Sequence, residues 1–461
     1  MALAASVHLN RIRGAAAPKK ISLEDAVVMA KQNNYDYKIA VQRQKADHEK
    51  VNQAWGILYP VLESEASLLR QGADSGFLSM TDGQYDIKVV QVKFGINPGM
   101  FYNTLQLARK AYTASSEEVK RIKSEIEYNT IQSYFNLILA EEMISIRKDT
   151  IQLLQENLKD VTSLYKTGSA PRYELLQAQV QLKSQEPLLL EAQNQYRLAL
   201  DMFNYQLGLD DTVYCADRSI LEKESYRVAE NDIDAFLRRV GGLALKNRPE
   251  IIQLKMKKEI AGHAKNINSS YYLWPTFTAG GYYGFNKMLP NIGEAYIPTT
   301  GGVGYMDLSR IAGSGKWQPN WQVRVAATYR WGSLIPVDSI RAQEREARER
   351  MKEAEEEISK VKRLISISIK SSYSSLLTSQ QTIYSHKSNV EKAKEGLRIA
   401  RESYRAGVIK NSELFGAQVS LTQAQAGYIN AINTYYQSLA KLRKDIGVED
   451  ESIIFGGEKH E

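Results

Sequence analysis

The 461-residue sequence has one cysteine, Cys215, which excludes an intrachain disulfide and leaves the redox compartment open. It has no run approaching the roughly 20 consecutive apolar residues of a membrane-spanning helix, and its mean hydropathy is −0.40. That excludes a bundle of spanning helices but not spanning strands, whose alternating residues average out in a hydropathy window. The five histidines (His8, His48, His263, His386 and His460) are scattered without metal-site spacing. The glycines of 301–304 lack the strand–turn–helix setting of a phosphate loop, and Gly313 to Lys316 is too short for one. No nucleophile–base pair stands out either. An enzyme is therefore not expected, and neither is a metal or cofactor. Charge of one sign is also scarce: the net +7 is modest for this length, and Lys and Arg alternate with Asp and Glu, leaving no basic footprint for nucleic acid. Residues 1–20 lack the apolar core of a signal peptide, because Arg11 and Arg13 interrupt it. They read as a residual leader or unstructured N-terminus, and no N-terminal cysteine offers a site for a lipid anchor.

Proline and glycine are absent from Met100 to Lys166, so nothing there stops a helix. At about 1.5 Å per residue that stretch would reach about 100 Å. Asp338 to Ala406 behaves alike, with Gly396 as its one interruption. Within it Ala347, Met351, Ala354, Ile358, Val361 and Ile365 follow a 4-3-4-3-4 spacing, a coiled-coil seam flanked by Glu and Arg. So narrow a seam cannot make a globular core, so these helices must lie against equally long partners.

The chain is also a tandem repeat. Tyr165 to Gly208 aligns without a gap onto Tyr404 to Gly447, with 13 of 44 positions identical, among them Gly168/Gly407, Glu174/Glu413 and Ala178/Ala417. Asn33 to Pro60 resembles Asn247 to Pro275 at a shorter offset, which places an insertion in the second copy between Pro275 and Trp331. Each copy reads as helix, two strands, very long helix, tight turn, returning helix. The first opens at Ser22 as N-cap, with Glu24 and Asp25 in the first turn, and runs helically toward Pro60. The glycines Gly168 and Gly407 suit left-handed C-caps, Pro171 restarts a helix, and Pro187 should kink a helix or break one of its backbone bonds.

Between the helices the period changes to two. Trp321, Val323, Val325, Ala327, Tyr329 and Trp331 alternate with Gln322, Arg324, Ala326, Thr328 and Arg330. Such a segment has the length of a tilted membrane strand, with rings where interfacial girdles sit. Trp317, Trp321 and Trp331 are accordingly assigned to the membrane interface. Phe277, Ala279, Gly281, Tyr283 and Phe285 alternate likewise. In the first copy Tyr85, Ile87 and Val89 fall on one parity, but Val90, Val92 and Phe94 fall on the other, which requires a bulge or a short exposed span. The alternative for all four strands is a soluble sheet with one buried face, in a coiled-coil scaffold or adaptor. If they do lie in lipid, four strands cannot close a barrel, and open edges in lipid are costly, so neighbouring copies must complete it. The number of copies stays open at this point.

The expected divisions are a leader (1–20), a first repeat (21–210; strands about 61–71 and 84–96, hairpin about 100–208), an equatorial linker (211–242), a second repeat (243–448; strands about 275–287 and 319–332, hairpin about 338–446) and a tail (449–461). The Gly- and Pro-rich stretch from Asn286 to Asn320 would be an extracellular loop.

The duplicated pattern resembles the TolC family of outer-membrane efflux proteins. The resemblance rests on Ser22 to Ala26 with Asn33 and Asn34; Trp55 to Pro60 before a strand; Tyr165-x-x-Gly168 followed by Glu174, Leu175, Leu176, Ala178 and Gln179; Asn247 to Glu250; and Tyr404-x-x-Gly407 followed by Glu413, Leu414, Ala417 and Gln418. It covers roughly Ile21 to Val448. It implies a mainly α fold with membrane β: a homotrimer whose 12-stranded barrel in outer-membrane lipid joins a long α-helical barrel crossing the periplasm. It further implies an equatorial belt from Gly208 to Leu245 and the residues after Gly447. The implied role is the passive exit duct of a tripartite efflux pump or type I secretion system, docked tip-first to a periplasmic adaptor and an inner-membrane transporter. By this resemblance Glu174 and Glu413 face the periplasmic aperture, where rings of carboxylates would favour cations; a first-turn glutamate stabilised by the helix dipole is the alternative. Gly416 and Ile409 depart from the family's gate pattern, so any latch would need Lys410 or Tyr404. Tyr165, Lys166, Gly168, Ser169, Arg405, Gly407 and Val408 fall at adaptor-facing tips, although turn chemistry alone accounts for the glycines.

Overall fold

The computed structural model describes residues 19–69, 81–209, 213–222, 233–290, 296–299, 302–305, 316–331 and 338–448. Two compact units divide the chain: residues 1–44, 114–254 and 356–461 form one, and residues 45–113 and 255–355 the other. In order along the chain come β1 (Lys19–Ile21), α1 (Leu23–Asn33), α2 (Tyr35–Gly56), β2 (Val61–Leu69), β3 (Thr81–Ile96), α3 (Pro98–Lys166), α4 (Arg172–Leu207), β4 (Tyr214–Ala216), a 3-10 turn at Arg218–Glu222, α5 (Ile233–Asn247), α6 (Pro249–Leu273), β5 (Thr276–Pro290), β6 (Tyr296–Thr299), β7 (Gly302–Tyr305), β8 (Gln318–Thr328), α7 (Ser339–Arg405) and α8 (Asn411–Ile446).

The long helices have local reasons for their bounds. α3 begins with proline at its first position, and the Asn97 side chain accepts the Met100 N–H at 3.0 Å. α7 begins where Asp338 Oδ1 accepts the Ile340 N–H at 3.1 Å. Along α7, pairs such as Arg350–Glu346 (2.6 Å) and Arg398–Glu402 (2.7 Å) sit four residues apart on the exposed face, the spacing at which helical side chains meet. Ala347, Ala354 and Ile365 of the seam are buried, and Met351, Ile358 and Val361 are half-buried. Pro187 lies inside α4, which continues through it.

In the larger unit two apolar clusters reflect the repeat. Tyr134, Phe135, Leu137, Phe203 and Leu207 gather under α1 in one. Phe236 and Val240 of α5 pack with Tyr373, Leu376 and Leu442 in the other. The Tyr134 hydroxyl bonds the Ile21 carbonyl at 3.2 Å and accepts the Asp217 N–H at 3.0 Å, tying α3 to the short parallel β1–β4 ladder.

Three expectations need correction. The opening helix does not run unbroken to Pro60: Asn34 leaves helical geometry, its Oδ1 taking the Asp36 N–H at 2.8 Å and its Nδ2 reaching the Gln206 carbonyl at 2.9 Å. The side chain thus supplies backbone partners that helix continuation would otherwise provide. The second copy breaks at the equivalent place, Arg248, whose helical conformation is disfavoured by the following Pro249. In both copies a left-handed glycine of the returning helix abuts that break: a Cβ on Gly208 (φ 69°) would collide with the Asn33 carbonyl, and one on Gly447 (φ 74°) would touch Arg248. Next, Lys19 and Lys20 belong to β1 rather than to a leader. Finally, the stretch after Asn286 is not wholly loop, since β5 continues to Pro290 and β6 pairs with β7. The residues expected as tail, 449–461, and most of the leader lie outside the described residues.

Candidate functional site

The smaller unit holds a four-stranded antiparallel sheet in the order β2-β3-β5-β8. Register sorts its side chains onto two faces. Phe277, Ala279, Tyr283 and Phe285 of β5 stand opposite Ala327, Val325, Trp321 and Pro319 of β8, and opposite Ile96, Phe94, Val90 and Ile87 of β3. The parity conflict in β3 is resolved by a register shift between Lys88 and Val90, which brings even-numbered Val90, Val92 and Phe94 onto the face of odd-numbered Ile87 and Tyr85. Leu62, Ala66 and Leu68 of β2 join the same face, past a second shift between Glu63 and Glu65. This apolar face is uncovered within the chain: Val325 is 80% exposed, Val323 72% and Trp321 71%. A patch of this kind, flanked by polar residues, marks a surface made for lipid or a partner.

The opposite face carries charge. Lys93 bridges Glu63 at 2.6 Å and Lys88 bridges Glu65 at 3.0 Å, both across the β2–β3 pair. Tyr282, Gln322 and Arg324 continue it. The expected interface rings take different positions: Trp321 pairs with Tyr283 in the ladder, Trp317 lies 6.2 Å from the Tyr85 ring, and Trp331, 91% exposed, packs edge-on to Tyr329 at 5.0 Å beyond the strand end.

The other group of expected residues lies in the larger unit, at the turns α3–α4 and α7–α8. Gly168 (φ 77°) and Gly407 (φ 73°) cap α3 and α7 in left-handed geometry. Each turn is closed the same way: Ser169 N–H bonds the Leu164 carbonyl and Val408 N–H the Ser403 carbonyl, both at 2.9 Å. With the caps satisfied internally, the exposed side chains of Tyr165, Lys166, Ser169, Arg405 and Val408 are free of any role in the turn itself, apart from an ion pair of 3.8 Å between Arg405 and Asp160 and a hydroxyl contact of 3.2 Å between Ser169 and Thr167. Glu413 is exposed, and its Oε1 accepts the Lys410 N–H at 3.5 Å, as a first-turn capping residue does. Glu174 is half-buried, in the first turn of α4.

Tyr404 is buried with Val161, Ala178, Leu397, Leu414 and Leu421, a cluster drawn from all four tip helices. The structure thus brings Tyr404 near Glu174 but holds it as a packing residue, its hydroxyl unpartnered among the described residues. Burial, with the Glu174 and Asp160 charges nearby, pushes its phenol up to about 12. An unfolded tyrosine ionises near 10, so above that pH the unfolded chain releases a proton that the folded chain keeps, and stability falls between about pH 10 and 12. Thermal melts across this range should show that fall reduced in Tyr404→Phe, with Tyr134, also pushed up to about 12, and Tyr128 and Tyr196, also raised by burial, contributing to the remainder. Below about pH 9 the same variant should melt no lower than the parent, because it removes a buried hydroxyl that has no partner among the described residues.

Beside Tyr404 lies a cavity of about 210 Å³ that no sequence pattern announces. Asn157 and Gln418 line it, both buried, and Asn157 Nδ2 donates to Asn411 Oδ1 at 2.8 Å. These partners are 254 residues apart and occupy no repeating position, so no spacing rule finds them. Among the described residues no cluster of His, Cys, Asp and Glu is arranged to hold a metal ion, and no helix is long and apolar enough to cross a membrane.

An apolar sheet face left bare among the described residues, joined in sequence to long helical hairpins, is a surface for lipid or a partner rather than one side of a closed core. The chain belongs to the outer membrane efflux protein family, whose sequence profile matches residues 26–202 and 296–448. It is an outer-membrane, non-catalytic transport protein. Its fold is similar to the CmeC outer membrane channel of Campylobacter jejuni (18% identity, TM-score 0.69, covering 92% of this chain and 85% of that one). It is similar also to the outer membrane protein VceC of Vibrio cholerae (16%, 0.68, 92% and 96%) and to the open state of the MtrE outer membrane channel of Neisseria gonorrhoeae (15%, 0.68, 95% and 91%). No curated protein sequence matches the chain.

Proposed function

We propose that three copies of the chain close one 12-stranded barrel in the outer membrane, continuous with an α-helical barrel in the periplasm, and that this assembly is the passive exit duct of a tripartite pump or secretion system. One observation carries the reading: β2 and β8 are both edge strands of a sheet whose apolar face is bare. Each unpaired backbone group in lipid costs several kcal/mol, so β8 of one copy must pair with β2 of the next. A photo-crosslinking residue at Gln322, on β8, is expected to capture the 61–69 segment of another copy in native membranes. Crosslinks confined to the same chain would contradict the closure.

The tips at Gly168 and Gly407 dock to a periplasmic adaptor that links the duct to an inner-membrane transporter. Support comes from their exposed Tyr165, Lys166, Arg405 and Val408 on turns that need none of these side chains for closure. Trp317, Trp321 and Trp331 lie at the two lipid–water boundaries. Glu413 and Glu174 line the aperture, where three copies of each would favour cations. In planar bilayers Glu413→Ala should lower the cation preference or raise the resting leak. Identical conductance and selectivity would confine Glu413 to its capping role.

A further inference from the structure

Among the described residues within the strands, the charges on the polar face of the sheet are paired, Arg324 excepted. Lys93 and Lys88 are engaged by Glu63 and Glu65, and Asp86 lies 4.0 Å from Lys88. Arg324 sits on the same face, yet among the described residues it has no acidic partner. Register places it directly opposite Gly280, which in turn stands opposite Lys93. Gly280 has no side chain to cover the guanidinium or accept from it. Lys93, in the same row, is turned to Glu63 on the far side of the sheet. Arg324 is exposed, in the middle of an 11-residue strand, and the next cation on its face, Arg330, lies beyond the strand end, 5.9 Å from the Tyr271 ring centroid. An exposed cation kept in mid-strand with no acidic partner among the described residues leaves its N–H donors free to meet an anion.

We infer that Arg324 forms an anion-binding ring inside the barrel, one guanidinium from each copy at one height, which takes carboxylate, sulfonate or phosphate groups of cargo in transit. This rests on the trimeric reading above. A wall of twelve strands about 4.8 Å apart and tilted by about 40° has a radius of about 12 Å at the backbone. Arginine is the longest cationic side chain, and three of them pointing inward narrow that lumen to a space where their fields overlap within a Debye length of about 10 Å. Guanidinium is always charged and binds oxyanions through paired N–H donors, so the ring works at any physiological pH. It selects by charge while leaving the hydrophobic part of a cargo unconstrained, as rings of charged side chains do in other pores.

The test uses the purified full-length protein in neutral detergent and pyrenetetrasulfonate, a polyanionic dye, with binding followed by fluorescence anisotropy at about 50 mM salt, where screening is weaker than in physiological buffer. The wild type is expected to bind the dye, Arg324→Lys to retain binding within about threefold, and Arg324→Gln to weaken it by at least about tenfold. Arg345→Gln, on the exposed face of α7, should bind as the wild type does. Arg324→Ser provides a second neutral variant should glutamine impair assembly. Equal binding by a trimeric Arg324→Gln or Arg324→Ser protein, or no binding by the trimeric wild type, overturns the ring and leaves the duct standing. Light scattering on the same samples reads the trimer independently, and a wild type that is not trimeric overturns the duct and the ring together.

Discussion

Val325→Arg is expected to abolish or severely reduce assembly in the outer membrane. Val325 stands opposite Ala279, near the middle of the apolar row, and is 80% exposed within the chain. In lipid that exposure becomes contact with acyl chains, and an arginine near the bilayer midplane of a β-barrel costs roughly 2–4 kcal/mol. A nearby position supplies the control. Gln322 lies on the opposite face by strand alternation, and Gln322→Arg should assemble normally because it adds a cation to a wet surface. Heat-resistant oligomer in membrane fractions, measured by gel shift, distinguishes the two. Equal amounts of oligomer from both variants would mean that the face does not meet lipid, and the scaffold reading would regain ground.

The second large effect is expected in the larger unit. Phe236→Ala should lower stability by about 3–5 kcal/mol, the usual cost of emptying a fully buried aromatic site. Phe236 is completely buried, its ring stacked on Tyr373 at 3.8 Å and 10°, with the Arg239 guanidinium 5.6 Å from its centroid. It belongs to α5, the helix that follows the segment joining the two repeats, so its loss releases the packing of that helix on α7 and α8. Phe236→Leu keeps most of the volume and should cost far less. Denaturant melts followed by near-ultraviolet circular dichroism check this, and a midpoint unchanged by Phe236→Ala would mean that α5 is not anchored through this ring.

Much of this architecture could be read before any coordinates, and the reason is periodicity. The helices α3 and α7 follow from long stretches without a stop signal and a seam repeating every seven residues. The strands β5 and β8 follow from strict alternation. The shift in β3 is a sharper case: two valines in succession, Val89 and Val90, switch the apolar parity, and the ladder absorbs the extra residue between Lys88 and Val90. The repeat told where the hairpin turns fall, because glycine is the residue that accepts a positive φ at Gly168 and Gly407 without strain.

What escaped has no period. The break at Asn34 depends on a side chain reaching the Gln206 carbonyl, 172 residues away. The β1–β4 ladder is three residues long, with one strand at the edge of the stretch read as leader and the other in the stretch read as equatorial linker. The polar cavity beside Tyr404 is assembled from residues on α3, α7 and α8 that share no spacing. Arg248 was legible in principle, since it precedes proline, but the helical residues on both sides hid it. The aperture residues show the same limit from the other direction. Glu413, expected at the aperture, behaves within one chain as a capping residue, and only copies facing one another across an axis would make it a gate.

The most direct test of the duct is an end-on electron image of the detergent-purified full-length protein. The expected particle contains three 52.1 kDa chains, with three-fold symmetry and a hollow centre. A monomer that stays dispersed without detergent, with its four strands packed against protein, would contradict it.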